Sequence, residues 1–312
     1  MSHSIRLTRR RALAGAAALP LAGMALAAGT RPARAGAAML GPSIAPWHRF
    51  TLGEFEVTTL LSGTSPRPDP HGIFGLNVSE ERFREVSEAA MLPTDVAQFF
   101  FTPTVVNTGA ELILFDTGLN PGGITAALAA AGYTPEQVDT VVITHMHGDH
   151  IGGMQEGGNL TFANARYVTG AVEHNWWSQA NDDGFNTNVA PFNDRFSFLD
   201  PGQDVATGIT ALDAKGHTPG HMAFRIESAG KGLVLIADAA NHPVWSLAHP
   251  DWEVSFDANK QDAAATRRNL LGMIAGERLP MIGYHMPFPA VGYVESSGSG
   301  FRYEAAGYRH MV

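Results

Sequence analysis

The sequence predicts an α/β fold made of two strand-rich halves, each accompanied by a helix. Three observations carry that expectation. Short apolar, β-branched runs such as 140–144 and 232–237 recur along the chain. Helical patterns follow them, the longest over 257–275 with Leu270, Leu271 and Ile274 on its apolar face. Side chains able to ligate a metal stand where several apolar runs stop, so strand ends on one sheet edge can converge on one cleft.

In chain order, residues 36–46 form a small-residue linker. Phe55-Glu56-Val57-Thr58-Thr59-Leu60 alternates and reads as a strand. Ser65-Pro66-Arg67-Pro68-Asp69-Pro70 reads as a rigid loop. Residues 79–90 read as an amphipathic helix, with Phe83 and Val86 on one face. The runs 103–107 and 111–116 pair as a hairpin around Thr108-Gly109-Ala110, and 125–131 is a short helix. Residues 140–144 form a buried strand. The polar and aromatic stretch 175–201 has no clear period and reads as a functional loop. Strands follow at 209–213, 222–227 and 232–237, then the long helix, a strand at 281–285, and a hairpin of 291–295 with 301–304. No short tandem repeat is present.

The 312 residues suffice for one large domain with a deep core, and 45% of them are hydrophobic. There is no cysteine, which excludes disulfides, thiolate-bound zinc, iron–sulfur clusters and thiol nucleophiles. Thr8-Arg9-Arg10-Arg11-Ala12-Leu13, an Ala/Leu-rich stretch, and Ala33-Arg34-Ala35 read as a twin-arginine export signal over 1–35 with an A-x-A cleavage site. The mature domain then spans 36–312, and a periplasmic location is expected. That export route carries folded proteins, which suits a metal site loaded in the cytosol. The signal holds six arginines and no acid, so its removal takes the formal charge from −9 to −15. Only Lys215, Lys231 and Lys260 supply lysine, so no basic stripe can track a phosphate backbone and nucleic acid is not an expected partner. No later apolar run is long enough for a membrane span.

The chemistry is concentrated in His145-Met146-His147-Gly148-Asp149-His150, directly after an apolar run. Imidazole nitrogen and carboxylate oxygen are ligands for zinc and similar divalent metals. His145 and His147, two apart in extended chain, project to one side. Asp149 and His150 follow in a turn and can face a second point, so one hexapeptide can serve two adjacent metals. Further ligand-type residues stand at strand ends: Asp116 in Phe115-Asp116-Thr117-Gly118, His217 and His221 in Gly216-His217-Thr218-Pro219-Gly220-His221, Asp238 after Ala237, and His285 in Gly283-Tyr284-His285-Met286-Pro287.

On these motifs, in this order, the chain from about Phe50 onward resembles the metallo-β-lactamase superfamily. The resemblance implies a four-layer αββα sandwich with metals at one edge of the packed sheets. It implies a first metal on His145, His147 and His217, and a second on Asp149, His150 and His285, with Asp238 bridging. Zinc is the expected ion in both, and the same donors accept cobalt, manganese or iron. Asp116 and His221 are expected behind the ligands, Asp116 orienting a ligand imidazole. A metal-bridging hydroxide would attack a small substrate, with Asp149 or Asp238 taking up the proton.

Within the superfamily the chain is most similar to the methyl parathion hydrolase and lactonase-like group. The similarity lies in the export signal, the 216–221 motif, the tail Tyr284-His285-Met286-Pro287-Phe288-Pro289-Ala290-Val291-Gly292, Gly300-Phe301-Arg302-Tyr303, and Trp176-Trp177-Ser178-Gln179. A homodimer would match that group. Two stretches depart from it: the Gly-rich 119–123 loop lacks its aromatic, and Asn241-His242-Pro243-Val244-Trp245 is unlike it. The expected substrate is therefore a lactone or aryl ester ahead of a phosphotriester. Trp176, Trp177, Phe192, Phe196, Trp245 and His242 are the candidate pocket walls. Absence of cysteine separates the chain from lactamases with a thiolate ligand. His147 stands where flavodiiron proteins have Glu. The complete second site separates it from persulfide dioxygenases with one iron. A mononuclear iron oxidoreductase of this fold and a non-catalytic metal-binding protein are the alternatives.

Overall fold

The computed structural model describes residues 43–306 together with Met39 and Gly41. Every helix and strand named below belongs to the unit Ile44–Val312. The export signal read over 1–35 lies outside the described residues.

Two seven-stranded sheets carry the architecture. The first runs in space Trp47–Leu52, Phe55–Leu60, Thr104–Asn107, Leu112–Phe115, Thr140–Val142, Arg166–Gly170, Phe196–Leu199. Its pairings are antiparallel as far as Leu112–Phe115 and parallel beyond it. The second runs Asp204–Ala206, Ile209–Asp213, Met222–Ser228, Lys231–Ala237, Pro280–Gly283, Val291–Ser297, Gly300–Ala305. Only Lys231–Ala237 and Pro280–Gly283 pair parallel within it.

Side chains alternate across a strand, and here that period sorts them into layers. Ile113 and Phe115 enter the core between the sheets, with Phe224, Leu235 and Ile282 from the other side. Phe115 meets Phe224 edge-on at 5.0 Å. Leu112 and Leu114 turn outward, beneath Ile124 and Leu128 of the helix Pro121–Ala130. In the second sheet Leu233 and Leu235 face inward. Val234 and Ile236 face outward, against Leu270, Leu271 and Ile274 of the helix Lys260–Glu277. The result is helix, sheet, sheet, helix, the αββα sandwich.

Helix starts follow local chemistry. Asn120 accepts the Gly123 N–H at 2.8 Å with Pro121 behind it, Ser79 caps Glu80–Ala89, and Asn259 caps the long helix. Parallel pairing fixes where the site lies. Parallel strands stop at the same edge, so Leu112–Phe115 and Thr140–Val142 deliver Asp116 and His145 together. Lys231–Ala237 and Pro280–Gly283 do the same for Asp238 and His285.

Several sequence expectations change. The rigid loop at Ser65–Pro70 is mostly a strand: Gly63–Pro68 pairs antiparallel with Val96–Phe101. This separate two-stranded ribbon tolerates Pro66 and Pro68 because one side of the strand has no partner. The Gly-rich 119–123 loop runs into a helix that begins at Pro121. The stretch 175–201 is ordered as the end of the helix Ala171–Trp177, the helix Asp183–Asn188, a 3-10 turn Ala190–Arg195 and the strand Phe196–Leu199. Trp177, Phe185 and Phe196 enter the outer core there, which is why no surface period is visible. Trp47–Leu52, Val96–Phe101 and Arg166–Gly170 are strands that the sequence pattern did not separate from loop.

Leu271 is fully buried between the long helix and the second sheet. Leu271→Ala is expected to cost about 2–5 kcal/mol, read as a lower urea midpoint at unchanged slope.

Candidate metal centre

The hexapeptide leaves Thr140–Val142 in extended chain, and His147 then caps the one-turn helix Gly148–Ile151. Extended geometry sends His145 and His147 to one point. The helical turn swings Asp149 and His150 to another. His145 Nε2, His147 Nδ1 and His217 Nε2 form a triangle with sides of 3.1, 3.0 and 3.1 Å. His217 Nδ1 faces Asp257 Oδ1 at 3.0 Å, and a carboxylate can only accept, so the His217 proton sits on Nδ1 and Nε2 offers a lone pair. Nitrogens at tetrahedral corners around zinc, with bonds near 2.0–2.1 Å, lie roughly 3.3 Å apart. The triangle is close to that size.

Asp238 lies between the two groups. Its Oδ2 is 3.1 Å from His285 Nε2 and 3.3 Å from His217 Nε2, and its Oδ1 is 3.4 Å from His150 Nε2. Asp149 Oδ2 is 3.3 Å from His285 Nε2 and 3.7 Å from His150 Nε2. Potential ligand atoms cluster as His145, His147 and His217; as His145, His150 and Asp238; and as Asp149, His150 and His285, each set within 4.8 Å. His150 Nε2 and Asp238 Oδ1 are buried without a hydrogen-bond partner. Orphaned buried donors and acceptors of this kind are rare, and a cation accepting both lone pairs satisfies them. The residues fit a pair of divalent cations.

The supports are equally explicit. Asp116 accepts the Thr144 N–H and hydroxyl at 2.9 Å, and receives His150 Nδ1–H at 2.9 Å. It does so from a left-handed conformation, φ 60°, pinned by its own N–H to Val142 O. His221 donates Nδ1–H to Ala214 O and accepts the Asp238 N–H at Nε2, so it braces the backbone of Asp238. His285 Nδ1 faces Phe100 O at 2.8 Å. Gly216 has φ +123°, and a Cβ there would fall 2.1 Å from Ala263 N, so only glycine lets the His217 loop seat on the long helix.

Sequence reasoning missed three groups. Asp257 bridges His217 to the buried Arg267, 2.9 Å away. Tyr284 donates its hydroxyl to Asp149 O at 2.5 Å, and its ring lies 3.9 Å from that of His150. Glu173 is buried beside the first ligand group. Only Tyr284, adjacent to His285, left a local signal. The others face the site from elements distant in sequence.

Above the ligands opens a cavity of about 390 Å³, lined by Arg67, Phe99, Phe101, Leu119 and Phe256 over His147, Asp149, His217, Asp238 and His285. That size suits a small organic molecule. None of the six expected wall residues lines it. Trp245 is a core residue against Phe74 and Phe83, with Nε1–H on Ser87 Oγ, and His242 stacks on it at 4.0 Å. Phe196 and Trp177 sit in the outer core. Phe192 is half-buried in the 3-10 turn, and Trp176 is 40% exposed beside Trp177. The physical reason is the ribbon: residues 63, 65 and 67 and their partners 101, 99 and 97 share one face, and that face forms the wall.

Residues 102–282 match the metallo-beta-lactamase superfamily model. The chain belongs to the metallo-β-lactamase superfamily. An N-acyl homoserine lactonase of Bacillus cereus is 29% identical over 119 residues, which is 38% of this chain and 45% of that relative. This chain thus aligns with less than half of that relative's length. Among solved structures, AidC, a dizinc quorum-quenching lactonase with bound product, superposes with TM-score 0.78 at 23% identity, over 84% of this chain and 98% of its own. The hydrolase AbOPH superposes with TM-score 0.79 at 24% identity, over 86% and 100%. At those identities the likeness is one of fold. The superfamily assignment makes this a metal-dependent hydrolase scaffold with lactonase relatives.

Charge has a consequence at this centre. Burial pushes His145 well below its ordinary value and His147 down to about 3, so both are neutral and ready to ligate. Burial works the same way on His150, but Asp116, Asp238 and Asp149 outweigh it and hold the ring well above its ordinary value. Against the same burial, Asp238 and Asp149 raise His285 to about 10. Metal-free protein near pH 7 therefore carries protons on two prospective ligands. A cation must displace them, so its affinity should rise with pH. Zinc added to metal-free protein in weak buffer should release protons. Equal heats in buffers of different ionisation enthalpy would contradict this.

Proposed function

We propose that this protein is a dinuclear metal-dependent hydrolase that opens a small lactone or cleaves an aryl ester, with zinc as the expected cation. The observation that carries the reading is Asp238, one buried carboxylate with oxygens 3.3 Å from His217 Nε2 of the first ligand group and 3.4 and 3.1 Å from His150 Nε2 and His285 Nε2 of the second, on the lining of the cavity. Bound divalent cations would supply Lewis acidity and a water ionised near neutral pH. The chain's own residues do the rest. Phe99, Phe101, Leu119 and Phe256 hold the apolar part of the substrate and exclude water, and Arg67 stands on the same lining. Asp149 is the most exposed of the three central aspartates, at 23% for its side chain, and receives the proton released when water adds. Tyr284 fixes the Asp149 backbone, which keeps that carboxylate aimed at the cavity.

N-acyl homoserine lactones are the first class to test, because lactonases of that name are relatives. Phosphotriesters of the methyl parathion type are the second. The metal-loaded chain should turn over a lactone or aryl ester, and Asp149→Asn should fold normally while losing about 10²–10⁴-fold in kcat, the usual range for a lost general base. A variant that retains parent activity removes Asp149 from that role. One iron per chain with oxygen uptake would favour an oxidoreductase instead. We also propose export through the 1–35 segment. Amino-terminal sequencing of the secreted protein should begin near Gly36, and an intact Met1 in the envelope fraction would contradict cleavage there.

A further inference from the structure

A third buried acid outside the ligand groups, after Asp116 and Asp257, is Glu173. Glu173 lies in the first turn of Ala171–Trp177 with no exposed surface. Its Oε1 accepts Met146 N–H at 3.0 Å and Trp177 Nε1–H at 2.6 Å. Its Oε2 accepts Thr218 Oγ1–H at 2.7 Å and Gly220 N–H at 3.0 Å. Three of these four partners adjoin a first-group ligand. Met146 separates His145 from His147, Thr218 follows His217, and the Trp177 ring stands edge-on to His147 at 5.6 Å. A Cβ on Gly220 would fall 2.1 Å from Glu173 N, so the His217 loop rests directly on this helix.

We propose that Glu173 is a positioning residue for the first cation site, one carboxylate that sets the spacing between the His145–His147 pair and His217. The inference rests on the metal reading above and is independent of the substrate. The two loops leave different sheets; the backbone bond from Met222 N–H to Thr144 O, at 3.2 Å, joins them at one point, and Glu173 ties them together beside the ligands themselves. Four donors at 2.6–3.0 Å occupy both carboxylate oxygens. An ionised carboxylate accepts on both sides, and the four bonds oppose, without cancelling, the burial that lifts the Glu173 carboxyl above its ordinary value. An amide cannot replace it. With Gln, Oε1 would serve one loop, while Nε2, itself a donor, would confront the N–H of the other.

The test is cobalt(II) binding to the metal-stripped full chain, followed by d–d absorption and by thermal unfolding with and without cobalt. Glu173→Gln is expected to weaken the first equivalent by at least about tenfold, as loss of a partner behind a metal ligand does, and to alter the band. The metal-loaded Tm should fall further than the metal-free Tm. Thr218→Val, which removes one of the four bonds, should shift affinity in the same direction by less. Both variants binding the first cobalt within about twofold of the parent, with an unchanged band and an equal fall in both Tm values, would leave Glu173 a purely structural residue and overturn the proposal. Should Glu173→Gln fail to fold, Thr218→Val decides by the same criteria. A parent that binds no cobalt would instead end the metal reading itself.

Discussion

Three carboxylates are buried or nearly so at one sheet edge, and among the described residues no lysine or arginine is paired with them. Asp116 meets Thr144 and His150, Asp149 meets His150 and His285, and Asp238 meets those two imidazoles together with His145, His217 and Asn241. Uncompensated charge in such a place is costly. Compensation comes from imidazole protons in the metal-free protein and can come from bound cations, which would also satisfy His150 Nε2 and Asp238 Oδ1, both buried without a hydrogen-bond partner. The surrounding structure holds that charge in place.

The holding is done in layers of increasing distance. Parallel strand pairs bring the ligands to one edge. Asp116, His221 and Asp257 orient imidazoles and backbone, and Arg267 neutralises Asp257 from the interior. The residues behind the ligands are buried in a dry medium, where a lost partner leaves an unpaired group, so each such contact should matter more than a surface contact of the same length.

How much of this was legible in sequence depended on locality. The hexapeptide was visible because four ligand-type residues crowd six positions and nothing in packing explains them. Asp238 and His285 were visible because each ends an apolar run and, taken together with His217 and the hexapeptide, completes one ordered set of ligand-type residues; a lone histidine in such a place is usually structural. The layer order came only with the family resemblance, because 112–115 and 232–237 are apolar on both faces and their pattern does not say which side meets the other sheet. The wall of the cavity was not legible. Phe99 and Phe101 look like any aromatic run, and Gly63–Pro68 carries two prolines that disguise a strand. Trp245 and Phe196 suggested a pocket by residue type alone, yet tertiary packing placed them in cores. Asp257 and Glu173 act across 40 and 45 residues of chain, on His217 and Thr218, and such separations leave no periodic trace.

The ribbon of Gly63–Pro68 with Val96–Phe101 is outside both large sheets. Its inner face shapes the cavity, and none of the metal ligands belongs to it. The same ribbon also seats a ligand: Phe100 O faces His285 Nδ1, and the Phe99 and Phe101 rings stand edge-on to that imidazole. Arg67 and the two aromatic rings line the cavity. A shift of this appendage would therefore move the cavity wall and the seat of His285 together.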